Sequence, residues 1–93
     1  MCRRVGSEAV ISFTDSAFAE YRQWAKEDKK IIDKIDKLIT EIRRDPFHGS
    51  GKPEPLKGNR SGHWSRRITQ EHRLVYQVFA DHIIIISCKY HYQ

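Results

Sequence analysis

The chain has 93 residues, 39% hydrophobic and 31% charged, with a formal net charge of +5. That length admits one domain, and its best apolar run, residues 83–86, falls far short of the roughly twenty residues a membrane helix needs. Gly6, Ser7 and Glu8 stand where a secretory leader needs its apolar segment, so a cytoplasmic protein without a membrane partner is expected.

The charge is unevenly placed. Residues 1–45 hold ten Lys/Arg against nine Asp/Glu, whereas residues 46–93 hold seven against three and carry all five histidines. A basic, histidine-bearing half suits a polyanionic partner, nucleic acid above all. Cys2 and Cys88 form no disulfide framework. Cys88 and His91 could supply half a metal site, but no second pair completes the four ligands of a structural one. No metal or other cofactor is expected.

Residues 9–13 read as a short strand, and Thr14 or Asp15 can cap the helix that follows. Phe18, Tyr21, Trp24 and Ala25 recur at three- and four-residue spacing and mark an amphipathic helix. A charged stretch, residues 26–30, lets the chain turn. Ile31, Ile32, Ile35, Leu38, Ile39 and Ile42 then form the stripe of a second helix, which ends before Pro46. Helices joined so closely should form an antiparallel hairpin.

Residues 46–62 hold four glycines and three prolines, a composition that predicts no regular structure. Phe47 and Leu56 argue for a loop tacked to the body. Residues 64–69, 73–79 and 82–90 are rich in β-branched and aromatic residues, with breaks that suit hairpins, and read as an antiparallel meander. The order is that of an α+β domain.

Alternation places Leu74, Tyr76 and Val78 on the helix-facing side of the sheet, and Arg73 with Val75 and Gln77 on the open face. Neighbouring strands could add Arg67 or Arg66 to Arg73 there, and the last strand His91, giving a phosphate site. The same arginines would serve equally as solvated positions that oppose edge pairing. Glu54 stands between Pro53 and Pro55, which restrict its backbone and aim its carboxylate. A carboxylate, a histidine and an arginine are the parts of general acid–base cleavage of a phosphodiester.

The run Pro46-Phe47-x-Gly49-x-Gly51-Lys52-Pro53-Glu54-Pro55-Leu56-Lys57, then Ser61-Gly62-x-Trp64-Ser65-Arg66-Arg67-Ile68-Thr69, Glu71-His72-Arg73-Leu74-Val75-Tyr76 and the closing Tyr90-His91-Tyr92 resembles the YoeB/Txe toxin family of the RelE-like superfamily. The resemblance covers about residues 10–92 and leaves residues 1–9 as an N-terminal extension. It implies an N-terminal strand and helical hairpin packed on a mainly antiparallel C-terminal sheet. It also implies a ribosome-dependent endoribonuclease that cuts mRNA in the A site and is neutralised by a YefM-like antitoxin; a homodimer is compatible with it.

The family's catalytic residues fall on Glu54, Arg73, His91 and Tyr92, and a phosphate-binding position on Arg67. Arg66 and Lys57 are expected to grip further RNA phosphates. In the implied reaction the 2′-hydroxyl attacks the adjacent phosphate, without a metal, and leaves 2′,3′-cyclic phosphate and 5′-hydroxyl ends. His48 and Gln93 depart from the family pattern. A ParE-like gyrase poison and a non-catalytic repressor component are the alternatives.

Overall fold

β1 (Val10–Phe13) ends at Thr14, whose Oγ1 accepts a hydrogen bond from the Ala17 N–H at 3.1 Å and caps α1 (Asp15–Glu27). The structure is a computed structural model that describes residues 9–56 and 62–89. Asp28 alone separates α1 from α2 (Lys29–Arg44). Its backbone N–H closes α1 on Trp24 O, and its carboxylate accepts from the Lys30 and Ile31 N–H groups that open α2. The chain can therefore reverse within one residue, and Tyr21 Oη donates to Asp36 Oδ1 at 2.6 Å across the hairpin.

Ile32, Ile35, Leu38 and Ile42 of α2 are buried, with Ile31 and Ile39 at the margins of the same core. Each fully buried aliphatic side chain is worth about 1.5–3 kcal/mol, so this stripe anchors the hairpin to the sheet. Trp24 Nε1 donates to Cys88 O at 2.9 Å, and the Cys88 N–H donates to Glu20 Oε1 at 2.9 Å. α1 thereby clamps the end of the last strand.

The sheet has the order β1-β5-β4-β3-β2, with β2 (Glu54–Pro55), β3 (His63–Arg67), β4 (Arg73–Val78) and β5 (His82–Ser87). β1 runs parallel to β5, and every other pair is antiparallel. The α+β architecture is the one expected. Residues 46–62 depart from expectation, because Glu54 and Pro55 add a short edge strand to β3. An edge is where a proline, lacking its N–H, fits a sheet. The strands also end early: the Ile68 and Thr69 N–H groups both turn onto His72 O, so β3 stops at Arg67. Of the last predicted strand, residues 88 and 89 lie beyond β5, and Tyr90 falls outside the described residues.

Leu74 and Tyr76 are fully buried against the helices, as the alternation predicts. Val75, expected in the open with Arg73, is fully buried too. The Arg73 side chain folds over the row that Val75 shares with Ser65 and Glu54.

Candidate active site

Strand pairing sets Glu54, Ser65 and Val75 in one row on the sheet face away from the helices, and places Arg67 directly opposite Arg73 in the next. From β4, Arg73 reaches across β3. Its Nε donates to Ser65 Oγ at 3.2 Å and its Nη2 to Glu54 Oε1 at 3.0 Å. The Arg73 side chain is 17% exposed and that of Glu54 62%, so a sheltered guanidinium holds an accessible carboxylate. Like charges directly opposite across a strand pair are destabilising. The Arg67–Arg73 pair therefore concentrates positive potential beside the carboxylate, where an anion would relieve it.

The segment that delivers Glu54 is fastened by Arg66, whose neighbours in β3 point the other way. Its Nη2 donates to Asp45 O and His48 O, both at 2.8 Å, and its Nη1 to Ser50 O and Glu41 Oε1, both at 3.2 Å. Its Nε donates to Tyr76 Oη at 3.1 Å, and Tyr76 Oη donates onward to Pro46 O at 2.6 Å. The guanidinium's five N–H donors thus have five contacts. Glu41 completes the knot by accepting from Ser50 N–H at 2.8 Å and Ser50 Oγ at 2.9 Å.

Two glycines permit this wrapping. A Cβ on Gly49, which has φ +131°, would lie 2.6 Å from Glu41 Oε1 and 2.8 Å from Arg66 Nη1. One on Gly51, with φ +80°, would lie 2.9 Å from Arg67 O. Gly51 O instead accepts the Arg67 N–H at 2.7 Å. The loop is thereby tied to the end of β3 shortly before Glu54.

Arg66 is accordingly a correction to the expectation that it grips RNA phosphates. It is 0% exposed, because alternation turns it to the face opposite Arg67 and Ser65. Glu54, Arg73 and Arg67 do share one face. Lys57, His91 and Tyr92 lie outside the described residues. Sequence reasoning missed Ser65, which holds Arg73, and the Glu41–Ser50 pair. Only the spacing of Gly49 and Gly51 beside the Ser-Arg-Arg run signals a loop packed against that strand.

The Ser50 backbone N–H, with lesser help from the Ser50 hydroxyl and Arg66, holds the Glu41 carboxyl below the usual carboxylate range against the opposing effect of burial. Asp45 is lowered chiefly by the Phe47 N–H and also by His48, whose Nδ1 lies 3.0 Å from Asp45 Oδ2. His48, the departure from the family pattern, is thus engaged with the start of the same loop. Burial pushes the Tyr76 hydroxyl up. Cys88 is fully buried with Sγ 3.7 Å from Ala17 O, and among the described residues no three His, Cys, Asp or Glu side chains converge as a metal site would require. An open concavity lined by Pro46, Phe47, Val78, Phe79 and Ile83, among others, contains none of the expected site residues that lie among the described residues.

The family model described as the YoeB-like toxin of bacterial type II toxin–antitoxin systems matches residues 13–92. The curated Toxin YoeB of Escherichia coli (strain K12) is 54% identical over 80 residues, which cover 86% of this chain and 95% of that protein. The solved YoeB dimer from Staphylococcus aureus superposes with a TM-score of 0.85 at 49% identity, covering 91% of this chain and 99% of that one. A YoeB–YefM complex from the same species gives 0.82 at 48% identity, covering 90% and 98%. The fold and these likenesses define a toxin of a bacterial type II toxin–antitoxin system. Within that class, the chain belongs to the YoeB-like toxin family.

Proposed function

We propose that this toxin is a ribosome-dependent endoribonuclease that cleaves mRNA in the A site by metal-free acid–base chemistry. The observation that carries this reading is the Glu54–Arg73 pair at 3.0 Å on an exposed, basic sheet face. Arg73 forks between Ser65 and Glu54, and a substrate phosphate is a competing bidentate partner for that fork. Docking of the phosphate releases the Glu54 carboxylate from Arg73 and leaves it beside the reacting group. Glu54 then takes the proton of the RNA 2′-hydroxyl as that oxygen attacks the adjacent phosphorus. Arg73, with Arg67 opposite it, stabilises the charge that gathers on the phosphorane oxygens.

His91 donates a proton to the departing 5′-oxygen, and Tyr92 orients the phosphate or stacks on a base. β5 ends at Ser87, paired with Val75, and α1 clamps Cys88. The products are a 2′,3′-cyclic phosphate and a 5′-hydroxyl, and Lys57 serves as a further phosphate contact.

Orienting an RNA strand for in-line attack can lower a barrier by about 7–11 kcal/mol. An open sheet face with one carboxylate supplies little of that, so the ribosome is the natural source. A YefM-like antitoxin neutralises the toxin, and the toxin forms a homodimer; the solved YoeB–YefM complex and YoeB dimer from Staphylococcus aureus support both partners. Poisoning of gyrase by binding, or a silent role in repression, would leave the carboxylate–guanidinium pair without a task. A single-turnover comparison of one message, free and ribosome-bound, tests the reading. Cleavage should be much faster on the ribosome. Equal rates would remove the ribosome from the mechanism, and no cleavage of either would overturn the ribonuclease.

A further inference from the structure

The open face continues past the catalytic pair. Two residues along a strand is a step of about 7 Å, and one such step from the Ser65–Val75 row brings His63 and Gln77, which are direct cross-strand partners. Gln77 is in turn paired with Ile84 of β5. Beyond that row Phe79 and His82 stack, with ring centroids 4.5 Å apart and planes 10° from parallel. The Phe79 residue is 39% exposed and the His82 side chain 38%, so an aromatic stack stands partly in solvent.

We propose that His63 and Gln77 form a nucleobase-reading subsite for the base that flanks the scissile phosphate in single-stranded RNA. This rests on the ribonuclease reading of Glu54 and Arg73. Three features of the face carry it. First, its chemistry is ordered along the strands: two arginines and a carboxylate at one end, an amide and an imidazole next, stacked rings last. A positively charged track beside aromatic platforms is what single-stranded nucleic acids require. Second, the Gln77 amide offers a donor and an acceptor in one plane, the pattern that reads a base edge. Third, His63 Nδ1 is buried and has no hydrogen-bond partner among the described residues. The ring as a whole is only half-buried beside Gln77 with that nitrogen turned inward, so His63 meets a base as a stacking surface while Gln77 reads the edge.

The test uses the full chain with short 2′-O-methyl oligoribonucleotides, which cannot be cleaved, varied through the four bases at one central position. The same proteins are then assayed for cut-site distribution on a ribosome-bound message. Gln77→Ala should flatten the ranking of the four bases in binding and spread the cut sites. His63→Ala should weaken oligonucleotide binding roughly tenfold, the loss expected for one stacked base, and His63→Phe should restore it. Circular dichroism confirms that each variant is folded.

An unchanged base ranking in Gln77→Ala, together with unchanged affinity in His63→Ala, would overturn the proposal. So would variants that lose antitoxin binding while RNA binding stays intact, which would assign the face to a protein partner. A wild-type chain that cuts no message would overturn the ribonuclease reading instead, and the oligonucleotide arm would still decide base reading.

Discussion

Arg73 Nη2 and Glu54 Oε1 meet at 3.0 Å although β4 and β2, which carry them, are separated by the whole of β3. The side chain of Arg73 spans that strand by resting on Ser65 Oγ. A lysine has the charge but lacks the planar fork that rests on Ser65 and can pass from Glu54 to a phosphate. Glu54→Gln should slow single-turnover cleavage roughly 10²–10⁴-fold, the usual worth of general acid–base catalysis, and Arg73→Lys roughly 10²–10³-fold, the range for losing a preorganised charge-stabilising donor. The largely exposed Glu54 should lose little stability, within about 0.5 kcal/mol. Near-wild-type cleavage by Glu54→Gln would remove it as the base.

Adjacent arginines should behave oppositely. Arg66 is fully buried and holds Asp45 O, His48 O, Ser50 O, Glu41 and Tyr76. Arg66→Met should cost about 3–5 kcal/mol in urea unfolding, the range for breaking a buried pair by removing one partner. That is a large share of the 5–15 kcal/mol typical of a whole domain. Arg67→Ala should leave the unfolding midpoint nearly unchanged and reduce cleavage. The reverse pattern would exchange their roles.

The loop should also loosen in acid. Glu41 is held below its ordinary pKa, first by the Ser50 N–H. A carboxyl lowered on folding contributes stability that is full above its unfolded pKa, about 4.3, and is lost as pH falls through the folded value. Urea midpoints measured from pH 6 to pH 3 should therefore fall below about pH 4–5, and Glu41→Gln should flatten part of that slope. An identical slope in the variant would place the acid sensitivity elsewhere.

Burial, aided by the nearby Glu20 carboxylate, pushes the Cys88 thiol up to about 12. Thiols react as thiolates, so in a Cys2→Ser background iodoacetamide at pH 8 should leave the native protein unlabelled and alkylate it promptly in urea. Rapid labelling of the folded protein would contradict the packing of β5 against α1.

The α2 stripe is legible in sequence because six aliphatic residues at helical spacing leave one solution, and the β3–β5 meander because alternation and polar breaks agree. β2 is not legible: Glu54 and Pro55, just after Pro53, carry no period, and only the register opposite Ser65 and Trp64 makes them a strand. Arg66 and Arg67 look alike as letters. Alternation separates their faces, but arginine is so seldom fully buried that composition argues for water at both positions. What overrides it is a ring of carbonyls gathered by Gly49 and Gly51, a tertiary arrangement with no local periodicity. The Glu54–Arg73 contact is likewise a product of strand order, since 19 positions of chain separate the two residues.

One substitution in the substrate reaches the chemistry most directly. A message with a single 2′-deoxynucleotide at the position where an all-ribose control is cut, bound in the ribosomal A site, lacks the hydroxyl that Glu54 is proposed to deprotonate. Wild-type protein should leave that message intact there while cutting the all-ribose control to a 2′,3′-cyclic phosphate and a 5′-hydroxyl. Cleavage of the deoxy message at the control rate would show that the nucleophile is not the RNA's own hydroxyl and would contradict the mechanism.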